Sequence, residues 1–224
     1  MLGIAAAAYD YDWKEADRQF RLAMFHSPVP PHVRHWYAFF YLLPLGRLAE
    51  SIEQQEEGLK GDPLDIMAVV ALSWSLLIAG RLEDARREAN KILEFEENHA
   101  WASYFLALTY AFQAKWDEAL QAAEKGFPLI PPLQGTLAGI LRCTGKVDRA
   151  EEMVRKLMPG DSFGAPFGIS NYYLVCGETD KAADWLVRTV EQRHPLATIF
   201  LPLLRSSPRW PALAGLINLP EGVR

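Results

Sequence analysis

Glycines return along this chain at nearly equal intervals, each in a short joint between two apolar runs. They stand in Leu45-Gly46-Arg47-Leu48, Ala79-Gly80-Arg81-Leu82, Thr144-Gly145-Lys146-Val147 and Cys176-Gly177-Glu178-Thr179. The step from Gly46 to Gly80, taken once more, lands on Ala114 in Gln113-Ala114-Lys115-Trp116. Gly145 and then Gly177 follow after slightly shorter steps. Five residues past each joint sits a small residue: Ser51, Ala85, Ala119, Ala150 and Ala182. An earlier joint near Tyr11 leads into Asp12-Trp13-Lys14-Glu15-Ala16, with Ala16 in the small position. Proline closes several units (Pro28, Pro63, Pro131), with Glu97 in its place in the third. A repeat of about 34 residues is one helix pair that cannot bury its apolar face alone and must stack on its neighbours.

The physics of each position fits that reading. Two antiparallel helices that cross closely need small side chains where their backbones meet. Glycine suits the joint because a helix C-terminus often ends in a left-handed residue. In Asp62-Pro63-Leu64-Asp65, Asp62 is expected to cap a helix with Pro63 as its first residue. Between joints the apolar residues keep 3/4 spacing. Trp116, Ala119, Leu120, Ala123 and Phe127 share one face, as do Ala85, Ala89, Ile92 and Leu93. No strand alternation is evident. The expected fold is all-α: a right-handed α-solenoid of about six helix pairs over residues 1–194, then a C-terminal helical cap over 195–224. Its joints lie near Tyr11, Gly46, Gly80, Ala114, Gly145 and Gly177.

This pattern resembles the tetratricopeptide repeat family over residues 1–194. The tail is different: Ser207 is expected to cap a short helix begun by Pro208, with Leu213, Leu216 and Ile217 folding back on the last repeat. Leu204-Arg205-Ser206-Ser207-Pro208-Arg209-Trp210-Pro211-Ala212-Leu213 is similar to the end of one group of bacterial tetratricopeptide regions. So are Asp10–Phe20 and His35–Gly46. That group usually forms the C-terminal part of winged-helix regulators, nucleotide cyclases and protein kinases. The resemblance implies one domain of a longer bacterial signalling or transcription-control protein, starting inside a first repeat whose first helix is truncated or cryptic. Ser207 departs from the acidic residue expected there, and the linkers at 126–132 and 159–166 break the spacing.

Composition narrows the function. A net charge of −5 argues against the basic footprint that direct nucleic-acid binding needs. The N-terminus lacks a basic signal-peptide start, and the longest apolar run, Ile66 to Ala79, is too short to cross a membrane. The cytoplasm is the default location. Cys143 and Cys176 read as small buried hydrophobes with no redox motif behind them. His32 and His35 are three apart but have no further ligands nearby, and His26, His99 and His194 stand alone, so no metal or other cofactor is expected. Gly160–Gly168 has the wrong spacing and no lysine for a phosphate loop, and reads as a plain loop. No nucleophile elbow or zinc-protease motif occurs, and no catalytic residue is expected.

The informative surface is the concave one, which the first helix of each pair lines in this family. Counting back from the joints places Trp36, Phe40, Leu43, Val70, Trp74, Leu77, Trp101, Tyr104, Leu108, Phe112, Arg142, Phe167 and Asn171 there. The sharpest candidates for a partner-binding groove are Trp36, Phe40, Trp74, Trp101, Tyr104, Phe112, Arg142, Phe167 and Asn171. The lysine, arginine and asparagine pattern of carboxylate-clamping relatives is mostly absent. An aromatic groove with few charges suits an apolar peptide or helix. The expected function is a non-catalytic protein-interaction scaffold. The alternatives are a sensor of a small apolar ligand, and a homo-oligomer formed through a poorly covered N-terminal edge at Ile4, Ala7 and Ala8.

Overall fold

The computed structural model describes residues 1–25, 27–126 and 131–223. His26 and Phe127 therefore lie outside the described residues, as does most of the linker before Pro131. Among the described residues the helices form six pairs. The first pair is α1 (Leu2–Ala5, prolonged by a π-helical turn Ala6–Asp10) with α2 (Trp13–Met24). The second is α3 (Pro31–Tyr37, prolonged by a π-helical turn Ala38–Leu42) with α4 (Leu48–Gly61). Then come α5 (Ile66–Ile78) with α6 (Leu82–Phe95), and α7 (Ala100–Phe112) with α8 (Trp116–Gly126). The last two are α9 (Pro131–Cys143) with α10 (Val147–Leu157), and α11 (Ala165–Val175) with α12 (Thr179–Glu191). A 3₁₀ turn, Leu201–Leu204, and a short helix α13 (Trp210–Leu216) complete the chain. No strand occurs among the described residues.

The joint within each pair is one left-handed residue: Tyr11, Gly46, Gly80, Ala114, Gly145 and Gly177 all have positive φ. At Gly80 the turn is closed by Gly80 N–H to Leu77 O at 3.0 Å and Arg81 N–H to Leu76 O at 2.9 Å. These bonds satisfy carbonyls that the helix end would otherwise orphan. The small position five residues on has no room to spare. Ser51, Ala85, Ala119, Ala150 and Ala182 are all fully buried. Ser51 also uses its hydroxyl, donating to Ala38 O at 3.1 Å and lying 3.0 Å from Ser75 Oγ. The π turn in the second pair ends beside a proline. Pro44 has no N–H, and its ring crowds the carbonyl four residues back. Just before it, Leu43 N–H reaches Ala38 O at 2.9 Å.

Two local expectations change. The helix after Asp62-Pro63 begins three residues later. Asp65 is its cap, accepting from Ala68 N–H at 3.1 Å, and Pro63 lies in the preceding turn. The helix after Ser207 begins at Trp210 rather than Pro208. Ser207 accepts from Arg209 N–H at 3.2 Å and donates to Asp180 at 2.7 Å, so its side chain ties the tail to α12.

One crossing leaves no room for a side chain. Helices α9 and α11 approach backbone to backbone at Gly135 and Gly168. A Cβ on Gly135 would lie 1.7 Å from Gly168 O. One turn on, a Cβ on Gly139 would lie 2.8 Å from Val175 Cβ. On the same inner helix, Asn171 Nδ2 on α11 donates to Tyr104 OH on α7 at 3.4 Å.

The array closes on itself through its tail. The tail was expected to fold back on the last repeat, but it runs further, across the inside of the array to the first pairs. Arg205 donates to Leu45 O at 3.0 Å, and Trp13 Nε1–H donates to Ile217 O at 2.7 Å. Arg193 lies 5.0 Å over the Tyr11 ring and donates to Tyr9 O. Leu213 and Ile217 are buried, whereas Leu216 points to solvent. Ala7 and Ala8, expected at a bare N-terminal edge, are buried, and Ile4 is half-buried. One continuous apolar core runs from Ala6 through all six pairs to Leu219.

Candidate protein-interaction groove

The first helices of the pairs face inward, and their aromatic side chains form a chain of ring contacts. Trp36 lies 5.6 Å from Phe40, which meets Phe39 edge-on at 5.1 Å. Phe39 meets Trp74 at 5.9 Å, and Trp74 meets Trp101 at 5.8 Å and Tyr104 at 5.7 Å. Such tilted and edge-on pairs contribute beyond their buried area.

The tail fills the middle of this surface. Phe200 packs 5.4 Å from Trp74 and 5.7 Å from Phe167, bridging the third and sixth pairs. His194 stacks on Phe167 at 5.0 Å, and its Nδ1 accepts from Leu196 N–H at 3.3 Å. Trp74 and Asn171 are each 1% exposed, Tyr104 and Phe167 0%. Burial pushes the Tyr104 phenol well above its ordinary range and the His194 imidazole down to about 4. Phe40, Leu43, Val70, Leu77 and Leu108 are buried in the same core.

The nine groove candidates therefore separate into two sets. Phe40, Trp74, Tyr104, Phe167 and Asn171 lie beneath the tail or within the converging helices. Trp36, Trp101 and Phe112 stay half-buried, and Arg142 is exposed. Arg142 is held at the rim, donating to Tyr172 OH at 2.7 Å and pairing with Glu178 at 3.3 Å. Met67, which counting from the joints did not single out, is exposed on α5 between the positions of Trp36 and Trp101 in chain order. Sequence reasoning also missed Phe200. The signal for it was the unbroken apolarity of Ile199-Phe200-Leu201, which a segment capping only one helix pair does not need.

Gly160–Gly168 is loop only as far as Gly164. Ala165 opens α11, which carries Phe167 into the interior. Cys143 and Cys176, expected to be buried, are both half-buried at the ends of α9 and α11. No group of three or more His, Cys, Asp or Glu side chains able to hold a metal ion occurs among the described residues.

Residues 66–91, which are α5 and most of α6, match the family model described as tetratricopeptide repeat. Two solved structures are similar along most of the chain. One is a thermophilic tetratricopeptide protein of Thermus thermophilus, 18% identical, covering 84% of this chain and 100% of that one, with a TM-score of 0.58. The other is a tetratricopeptide repeat protein of Parabacteroides merdae, 17% identical, covering 96% of this chain and 89% of that one, with a TM-score of 0.53. The fold is that of a tetratricopeptide array. No curated protein matches the sequence. Tetratricopeptide proteins generally mediate protein–protein interactions. No helix among the described residues is long and apolar enough to cross a membrane.

Proposed function

We propose that this chain is a non-catalytic protein-interaction module that seats an apolar peptide or helix along the lip of its concave face. One observation carries the reading. The aromatic chain Trp36–Phe40–Phe39–Trp74–Trp101 is buried in its middle but leaves Trp36 and Trp101 half-exposed at its ends. A tryptophan held rigid by packing and still open to solvent loses little side-chain entropy on binding, which is why such residues anchor interfaces. Binding deeper in the groove requires expelling residues 194–219. Binding at the lip requires nothing to move. The resemblance of the tail and first repeats to bacterial signalling arrays supports a regulatory role, with the partner segment belonging to a protein it controls.

The test compares a Trp36→Ala/Trp101→Ala variant with wild type in affinity capture from source-cell lysate, with circular dichroism as the folding control. A partner lost from a folded variant supports the lip. Equal retention sinks it. Trp74→Ala is the contrasting variant: its ring is in the core, so it should cost about 3–5 kcal/mol of stability and reports on folding rather than binding.

A further inference from the structure

The two cysteines belong to successive helix pairs and meet where two inner helices end. Cys143 is the last residue of α9, and Cys176 is the first residue past α11. The Gly135–Gly168 and Gly139–Val175 contacts hold these helices together just before that point. Cys143 Sγ lies 4.0 Å from Val175 O, one residue from Cys176. Each thiol shifts the other's titration, as neighbouring groups do. Neither is sealed in the core, and no disulfide joins them in this structure.

We propose that Cys143 and Cys176 form a dithiol that a small-molecule disulfide oxidises to an intramolecular disulfide, locking the α9–α11 crossing. The Cys143 thiolate attacks one sulfur of the reagent, the reagent's S–S bond breaks, and one thiolate leaves. The Cys176 thiolate then attacks the protein sulfur of that mixed disulfide and expels the second. The protons lost by the two cysteines end on the two released thiols. The cysteine pair loses two electrons and the reagent gains them. A disulfide needs its Cα atoms within about 7 Å and its Cβ vectors convergent, and the Cys143 Sγ contact with the carbonyl of Val175 puts that sulfur beside the residue next to Cys176. Burial slows the reaction, since it pushes both thiols up, Cys176 to about 12. Arg142, beside both sulfurs, partly offsets this. The site is thus resistant to transient oxidant and responsive to sustained oxidising conditions. It stands independently of the lip reading.

The experiment incubates the folded, reduced full chain with excess oxidised glutathione over a series of alkaline pH values. The expected product lacks two hydrogens by intact mass, yields a proteolytic peptide pair joining Cys143 to Cys176, and regains both thiols with reductant. Its rate of formation should rise about tenfold per pH unit, following the thiolate fraction. Cys143→Ser should leave at most one glutathione adduct on Cys176. Two separate glutathione adducts on the wild type would overturn the proposal. So would bond formation only in denaturant, because the folded geometry would then not be what brings the sulfurs together.

Discussion

Gly135→Ala is the sharpest perturbation the structure offers. The substitution adds one methyl group, and helix propensity alone favours it by about 1 kcal/mol. Packing opposes it. The new Cβ would stand 1.7 Å from Gly168 O, 2.3 Å from its carbonyl carbon and 2.8 Å from its Cα. All three are backbone atoms of a neighbouring helix, so no rotamer change relieves them. Helices α9 and α11 must separate until the contact reaches van der Waals distance, a shift of roughly 1.5–2 Å against an interior packed to crystal density. Overpacking by a single methylene already costs about 1–3 kcal/mol. A clash with fixed backbone belongs at the top of that range, and separation also strains the Asn171–Tyr104 contact. The expected net effect, after the propensity gain, is a loss of about 2 kcal/mol or more.

Urea unfolding followed by circular dichroism measures this directly. Gly215→Ala is the control. It lies in α13 with open space around it, so propensity acts alone and should add up to about 1 kcal/mol. A Gly135→Ala chain as stable as Gly215→Ala would refute the close crossing of α9 and α11.

Two further outcomes follow from named residues. Ala114 is the one non-glycine joint between Gly46 and Gly177, at φ 55 and exposed, so Ala114→Gly should stabilise by about 1 kcal/mol, and a loss would refute backbone strain there. Stability should fall in acid through two buried histidines. Burial holds His35 and His194 at about 4 in the folded chain, with Asp65 drawing His35 slightly up and His32 pushing it down. Both rings return to about 6.5 on unfolding. Between those values the unfolded chain binds more protons, so stability is full above about 6.5 and is lost as pH drops toward 4, by roughly 3 kcal/mol per ring at the limit. Neither nitrogen of His35 has a hydrogen-bond partner among the described residues, so His35→Leu should remove about half of that slope in denaturation midpoints across the range. An unchanged slope would show that other groups carry it.

The helix pairs were legible because their signals are local. A left-handed joint wants glycine, a close crossing wants a small residue, and a helix facing a core repeats its apolar residues every three or four positions. Those demands recur in each unit, so they reinforce one another along the sequence. Two features that decide the shape of the site were not legible in that way. The α9–α11 approach rests on Gly135 and Gly139, whose spacing is visible, but its partner Gly168 sits in a segment that reads as loop because three of its nine residues are glycine. The tail's course depends on contacts between residues far apart in the chain, such as Arg205 with Leu45 and Trp13 with Ile217. No periodicity encodes such contacts.

The placement of the aromatics follows from that closure. Position by position, Trp74, Tyr104 and Phe167 look like anchors of an open groove, because a repeat array turns those positions inward. An open array with such a face would expose a large apolar patch to water. A terminal cap that covered only α12 would leave the patch bare. The tail instead lays Phe200 between Trp74 and Phe167, and carries Ile217 on to the first pair. Its capping role is thereby extended from the end of the solenoid to its inside. What the tail leaves partly open is the margin where the covering stops. There Trp36 and Trp101, on the inner helices of the second and fourth pairs, are packed against the core and still partly open to solvent, and Met67 on the third is exposed.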